Sequence, residues 1–311
     1  MSVNAIELAA KYSPLLDTVY RETALTSLLD TRNGVIFQGA NEAKVPKYSM
    51  DGLGDYSRNS GYTTGSITVG WETFKLEQDR GRQFLVDAMD NEETMDIAFG
   101  TAMGEFVRNH EVPEVDAYRF AKYAGKAGNK APETDIDDTT DVRKMIMNAA
   151  ALMNDKEVNR EGRILYISND AYKQLQANCG HVVMNGEKGI STAIDEFEEM
   201  KVIRVPSTRF YSAITLQDGK TTGQEKGGYK PATGAKKINF LIVEPSAVLQ
   251  LAKHTVLRGF NKEQVQEADA YKFNARIYHD CDVYANKTDG IYVSLGKTAV
   301  DAKPSGGGTG A

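Results

Sequence analysis

The side chains able to do chemistry are few and scattered. Cys179 and Cys281 are the only cysteines, far apart in the chain. Neither has a CxxC partner or a metal-ligand spacing, so they read as reduced, partly buried thiols. His110, His181, His254 and His279 are each isolated, with no HExxH and no HxH, and a zinc site would have to be assembled wholly by the fold. The glycine-rich run TTGQEKGGYKPATGAKK, residues 221–237, lacks the GxxxxGK[ST] spacing and a strand leading directly into a helix, so it is no phosphate cradle. Asp137 with Asp138, and Glu196 with Glu198 and Glu199, suit a helix start or a solvated face better than acid–base work. No GxSxG elbow is present, and no serine has a nearby histidine. Arg and Lys interleave with aromatics in LRGFNKEQVQEADAYKFNARIY, residues 257–278, but acidic residues share the stretch and strand alternation accounts for the rings. The expectation is a protein without catalytic residues, cofactor or metal.

Tyrosine carries the stronger signal, at 15 residues against one tryptophan. Tyr12, Tyr20, Tyr48, Tyr56, Tyr62, Tyr211 and Tyr229 fall in segments that read as exposed. Concentrating such amphipathic rings on extended parts suits surfaces that neighbours bury. The candidate inter-subunit contacts are Tyr12, Tyr20, Tyr48, Tyr56, Arg58, Tyr62 and Trp71. The 311 residues, 41% hydrophobic and 26% charged, have the composition of a soluble globular chain. With 37 basic and 43 acidic side chains, the net charge of −6 argues against a basic coat for nucleic acid. Apolar runs are too short to span a bilayer, and Glu7 interrupts any signal-peptide core, which implies a cytoplasmic start.

The elements that must position these residues follow from periodicity. Residues 5–30 mix short helical pieces with a break at Pro14 and form no core of their own, which makes them an arm. Val35–Phe37 and the Lys44-Val45-Pro46 run favour strand, with Pro46 implying an edge. Gly, Asp, Asn and Ser crowd residues 50–65 into a tip expected to lack a fold of its own. Ile67, Val69, Trp71, Phe74 and Leu76 mark a returning strand, so the pair makes a ribbon that is marginal alone in water. From Glu92 to Ala124 the apolar spacing is helical, with Pro113 expected to bend or break the helix. The middle alternates: a capped helix over DTTDVRKMIMNAAALMNDKEV, a strand RILYIS, a helix NDAYKQLQAN capped by Asn169 or Asp170, strands MKVIRVP and INFLIVEP, and a helix PSAVLQLAK. Residues 207–237 read as an exposed hairpin or loop. Phe273 to Val283 and Ile291 to Leu295 read as a closing β-hairpin, and KPSGGGTGA is linker in composition.

This order of elements resembles the tailed-bacteriophage major capsid proteins of the HK97 fold. The run NARIYHDCDVYANKTDGIYVS, Asn274 to Ser294, looks like their C-terminal hairpin, and FLVDAMDNEET, Phe84 to Thr94, looks like the lead-in to their long spine helix. The resemblance spans nearly the whole chain and implies an α+β architecture: N-terminal arm 1–32, E-loop β-ribbon 33–82, spine helix and first part of the peripheral (P) domain 83–136, axial (A) domain 137–252, return to the P-domain 253–300 and flexible tail 301–311. It implies a non-enzymatic virion protein that assembles with itself as hexamers and pentamers into an icosahedral or prolate shell in the host cytoplasm. The implied partners are a separate scaffolding protein, a portal, a maturation protease and DNA contacted without sequence preference, with no membrane and no cofactor. No residue matches the Lys–Asn pair through which some members cross-link. Competing readings are an encapsulin-like nanocompartment shell, a virion adhesion or receptor-binding protein and, disfavoured by the missing motifs, a metabolic α/β enzyme.

Overall fold

Alternating side chains mark the strands, and the ladders decide which of them meet. The computed structural model describes residues 24–30, 36–38, 42–59, 61–87, 103–179, 183–184, 190–191, 193–260 and 270–300. Strands β1 (Ile36–Gln38), β2 (Glu42–Met50) and β3 (Ile67–Lys75) form an antiparallel ribbon with β2 in the middle. Pro46 pairs with Trp71 and lies past Lys44, where the described β1 ladder has ended, so its missing N–H interrupts no third strand. The ribbon stops earlier than the sequence suggests. After Leu76 and Glu77 the chain enters β4 (Gln78–Asp87), which belongs to a different sheet. Residues 78–82, expected in the ribbon, and Phe84–Asp87, expected to lead into a helix, are therefore one strand. Gly81 permits close approach there, since a Cβ would lie 2.9 Å from the Ala275 carbonyl.

Pro113 does not break the helix that carries it. Met103–Phe106 are helical, Val107–Glu111 form a π-turn, and α1 (Val112–Lys126) follows without interruption. In a regular α-turn the proline ring would press on the carbonyl of Asn109. Here Val112 donates its N–H to the Val107 carbonyl, five residues back, and the wider turn makes room. The earlier part of the expected helix, residues 92–102, lies outside the described residues.

Next come β5 (Asn129–Lys130), α2 (Val142–Asp155), β6 (Ile164–Ser168) and α3 (Asn169–Cys179). Asp141 caps α2 by accepting from Lys144 N at 2.9 Å. The side-chain acceptor at the start of α3 is the Ser168 hydroxyl, which accepts from Ala171 N at 3.3 Å, and not the expected Asn169 or Asp170. Strands β7 (Val183–Met184) and β8 (Ile190–Ser191) pair with each other, as do β9 (Glu196–Phe197) and β10 (Met200–Val205). The 207–237 region holds the hairpin β11 (Ile214–Leu216) and β12 (Tyr229–Pro231). Strand β13 (Lys236–Val243) then leads to a single 3-10 turn, Pro245–Ala247, opened by Glu244 accepting from Ser246 N at 3.0 Å. The helix expected over PSAVLQLAK ends there. Val248 begins β14 (Val248–Phe260), because its apolar residues gain a full ladder against β15 (Ala270–Val283).

The expected closing hairpin is also absent as such. β15 pairs with β14 and β4, whereas β16 (Ile291–Ala299) pairs with β13 and β5. The 3-10 turn Thr288–Gly290 passes the chain from one sheet to the other, held where Glu244 N meets the Gly290 carbonyl at 2.9 Å.

The six-stranded sheet runs β5-β16-β13-β6-β10-β9, with β6 and β10 parallel. Both faces are covered, and strand alternation sorts the side chains between them. Ile164, Tyr166, Leu241 and Val243 meet Phe120 and Tyr123 of α1. Leu165, Ile167, Phe240 and Ile242 meet Val142, Ile146 and Met153 of α2 and Leu175 of α3. The three-stranded sheet β14-β15-β4 packs Phe273 and Ala275 on Met103, Val107 and Val112. The segment Ala24–Asp30 is stitched to α1 by one buried carboxylate. Asp116 accepts from Leu25 N at 3.1 Å, Thr26 N at 3.2 Å, Thr26 Oγ1 at 2.7 Å and Arg209 Nη1 at 3.3 Å. Arg119 donates to Thr26 Oγ1 at 2.8 Å, and that hydroxyl gives its own hydrogen to Asp116. Among the described residues no helix is long and apolar enough to cross a membrane.

Candidate functional site

Cross-strand register sorts the ribbon into two unlike faces. Tyr48 lies opposite Val69, Met50 opposite Ile67 and Pro46 opposite Trp71. In a strand i and i+2 share a face, so all six stand together. This face is bare: Tyr48 is 58% exposed, Met50 66%, Ile67 70%, Val69 53% and Trp71 57%. The other face is polar towards the tip and apolar at the base. There Ala43, Val45 and Phe74 pack with Leu76, Leu249, Leu251, Tyr278 and Tyr284. Phe74 meets Tyr284 edge-on at 5.7 Å, and Glu72 Oε1 accepts from Ala285 N at 3.3 Å. Tyr278 donates to the Leu76 carbonyl at 2.9 Å, and Glu77 N donates to Asp280 Oδ2 at 3.1 Å. One end of the ribbon is thus bolted to the body, while an apolar face projects from it.

The tip, expected to lack a fold, is a built turn. Ser57 and Gly61 exchange backbone hydrogen bonds at 3.1 and 2.7 Å, with Gly61 at φ 77°. Asp51 Oδ2 accepts from Ser66 N at 2.7 Å and closes the neck. A Cβ on Gly54 would run into the Thr63 hydroxyl, so this glycine serves close approach. The turn brings the rings of Tyr56 and Tyr62 to 4.9 Å, both exposed, beside exposed Leu53 and Arg58. The structure therefore gathers five of the seven candidate contacts, Tyr48, Tyr56, Arg58, Tyr62 and Trp71, on one projecting ribbon. Tyr12 and Tyr20 lie outside the described residues. The sequence reading passed over Met50, Leu53, Ile67 and Val69 as contacts, although alternation in both strands carried the signal for Met50, Ile67 and Val69.

The residues with chemical potential are occupied elsewhere. Asp137 accepts from Thr139 and Thr140 hydroxyls at 2.7 Å, which with the Thr139 N–H holds its carboxyl below the usual range. Asp138 accepts from Gln174 Nε2 at 2.8 Å. Glu198 and Glu199, both at positive φ, make the turn between β9 and β10. The glycine-rich run begins in the connection between β11 and β12, to which Arg80 donates at Gln217 O, 2.8 Å, while binding Glu114 in a bidentate pair at 2.7 and 3.2 Å. Asp280 accepts from Tyr118 at 2.8 Å; Lys122 lies 3.4 Å away, and the carboxylate raises its pKa against the opposing pull of burial. Burial pushes the Cys281 thiol up to about 12 and, aided by Arg119 and Arg80, pulls His279 down to about 3. A thiol so protonated and an imidazole so fixed in neutral form are core groups. Among the described residues no three His, Cys, Asp or Glu side chains gather as metal ligands.

No protein-family profile matches the sequence, and neither does any curated protein. Solved structures do. The mature capsid of bacteriophage PhiM1 superposes with a TM-score of 0.59 at 8% identity, over 87% of this chain and 91% of that one. The capsid of cyanophage P-SCSP1u gives 0.57 at 13% identity, over 87% of each chain. The chain has the HK97-type capsid fold. A virus-like particle from Pyrococcus furiosus matches at 0.55 and 11% identity, over 93% of this chain and 99% of that chain.

Proposed function

We propose that this chain is the major capsid protein of a tailed bacteriophage, assembling with itself into the shell around the packaged double-stranded DNA. The observation that carries the reading is the bare apolar ribbon face, Tyr48, Met50, Ile67, Val69 and Trp71, on a capsid fold. An isolated subunit leaves that face in water, and a neighbouring copy removes it. In this reading the ribbon is the E-loop, α1 and its π-turn belong to the spine helix, the β4-β15-β14 sheet is the P-domain, and the six-stranded α/β layer is the A-domain. Subunits associate as hexamers and pentamers, with a separate scaffolding protein, a portal and a maturation protease as partners in the host cytoplasm. The net charge of −6 disfavours strong, sequence-independent adhesion of the chain to the packaged DNA.

A second shell reading, an encapsulin-like compartment, draws on the coverage of the Pyrococcus furiosus particle. The two part on contents: a phage shell with its packaging partners holds DNA, an encapsulin holds protein. Sedimentation and negative-stain microscopy of the purified chain, alone and with scaffold, test the common part. Closed shells or rings of five and six subunits are expected. A strict monomer at every concentration, or a fixed trimer as an adhesin would give, overturns the proposal.

A further inference from the structure

Besides its bare face, the ribbon presents an open backbone edge along β3. Alternate residues of an antiparallel strand turn their N–H and C=O groups to opposite neighbours. Asp51 N donates to the Ser66 carbonyl at 3.2 Å, so along the same ladder Thr68, Gly70, Glu72 and Phe74 direct their backbone groups at β2. Pro46 agrees with this count: it has no N–H to give, and it stands opposite Trp71, at a position that faces away from β3. The N–H and C=O groups of Ile67, Val69, Trp71 and Thr73 therefore point out of the sheet, which ends at β3 among the described strands. Among the described residues no hydrogen bond reaches them, and all four side chains are exposed. Native proteins blunt such an edge with proline, a bulge or charge. Here the register against β2 runs unshifted from Ile67 to Lys75, and none of the four outward residues is charged.

We infer that this edge pairs with the β3 edge of a second copy, antiparallel about a two-fold axis at Gly70. Any other strand of that copy would leave its own β3 edge open, so that the pairing ran on, whereas β3 against β3 closes both edges at once. Gly70 sets the register. It sits in mid-strand at a cost in strand propensity, yet a Cβ there would meet nothing nearer than the Lys47 carbonyl at 4.0 Å, an ordinary contact, so no described neighbour requires a glycine. A strand glycine of this kind suits the close approach of another backbone. With Gly70 opposite Gly70 of the second copy, the pair is of the non-hydrogen-bonded type, whose Cα atoms come to about 4.5 Å, and the closest point of the contact is free of side chains. Val69 and Trp71 then exchange backbone hydrogen bonds with Trp71 and Val69 of the second copy, and each valine lies beside an indole, a favourable cross-strand pair. Thr68 faces Glu72 in this register, whereas an axis at Glu72 would oppose two like charges. The inference rests on the reading that this chain associates with itself, and adds a two-fold edge contact to the contact on the bare face.

The test uses the full-length chain, first as the dilute subunit and then in particles or at its highest soluble concentration. The amides of Ile67, Val69 and Trp71 should exchange fast in the dilute subunit and about tenfold or more slower after association, while those of Thr68, Gly70 and Glu72 are protected in both states. In a Cys179→Ser background, Gly70→Cys should form a disulfide between copies under mild oxidation, because the Cβ atoms of such a pair come within bonding reach. Thr68→Cys should not, since its counterpart lies opposite Glu72. Val69→Pro removes an outward N–H and spares the β2 ladder; added to Gly70→Cys, it should cut the disulfide yield about tenfold or more. Outward amides that exchange equally fast in both states would overturn the inference, whatever the cysteine variants do. A Thr68→Cys disulfide in place of the one at 70 would overturn it too, since the edge would then pair in another register. Shells in which the outward amides stay fast would overturn this inference and leave the assembly reading standing, and linked dimers that build no shell would do the reverse.

Discussion

Replacing Trp71 by alanine separates assembly from folding. The ring is 57% exposed and lies on the opposite ribbon face from Phe74, which is 7% exposed. A tryptophan side chain offers about 250 Å², so about 140 Å² of it awaits a neighbour. At about 25 cal/mol per Å², full coverage is worth about 3.5 kcal/mol per subunit. Incomplete contact and the ordering of side chains reduce that to about 2 kcal/mol, or about thirtyfold in concentration. The expected outcome for Trp71→Ala is a rise of that size in the concentration at which light scattering first reports particles, with the urea midpoint of the isolated subunit within about 0.5 kcal/mol of wild type. Phe74→Ala is the control, costing about 3–5 kcal/mol of folding stability through a cavity at the ribbon base. A folded Trp71→Ala subunit that assembles at the wild-type threshold would refute the reasoning, because the most conspicuous ring on the bare face would then carry no contact.

Burial, reinforced by Glu114, pushes the Glu111 carboxyl up to about 7 from 4.5. The folded chain therefore holds this proton more tightly than the unfolded one, and the stabilisation is present below pH 4.5 and is lost as pH rises through about 7. Measured against Glu111→Gln, wild type should lose about 3 kcal/mol of unfolding free energy across that window; parallel pH profiles would contradict the assignment. Asp116→Asn turns an amide N–H₂ either on Leu25 N and Arg209 or on Thr26 N, groups that can only donate, and should lower stability by about 3 kcal/mol in urea titration, whereas an unchanged midpoint would show that the Ala24–Asp30 stitch is idle. Pro113→Ala restores an N–H and removes the ring that the wide turn accommodates. A crystal structure of that variant should show residues 107–111 closing to regular α-turns, and a retained π-turn would trace the widening to packing instead.

Local signals survived where one residue or one period decided the outcome. The helix expected over DTTDVRKMIMNAAALMNDKEV formed as α2, with Asp141 as its cap, and the alternation in Ile67–Phe74 became β3 with Trp71 outward and Phe74 inward. What the sequence left open was mostly partner choice. Alternation marked β15 and β16 as strands but carries nothing on whether they meet, and the hairpin expected of them fails because the Thr288–Gly290 turn sends them to different sheets. The same silence hid the move from ribbon to second sheet after Glu77. In PSAVLQLAK the helix-start signal at Pro245 was real but ran for one turn, since the apolar residues from Val248 gain more from a long ladder with β15 than from a helix. The bare face followed a similar rule. Tyr48 and Trp71 were legible as amphipathic rings, but only the register of β2 against β3 shows that Met50, Ile67 and Val69 stand beside them. The π-turn before Pro113 is a non-local compromise that no spacing announces.

The central claim is that the ribbon's apolar face exists to be covered by another copy of this chain. Cryo-electron microscopy of particles grown from the purified chain, with scaffold where it is required, tests this most directly. The account predicts a closed shell of hexamers and pentamers in which Tyr48, Met50, Ile67, Val69 and Trp71 are buried against an adjacent subunit. Particles in which those five side chains remain in solvent, or a chain that forms no shell under any condition, would contradict it.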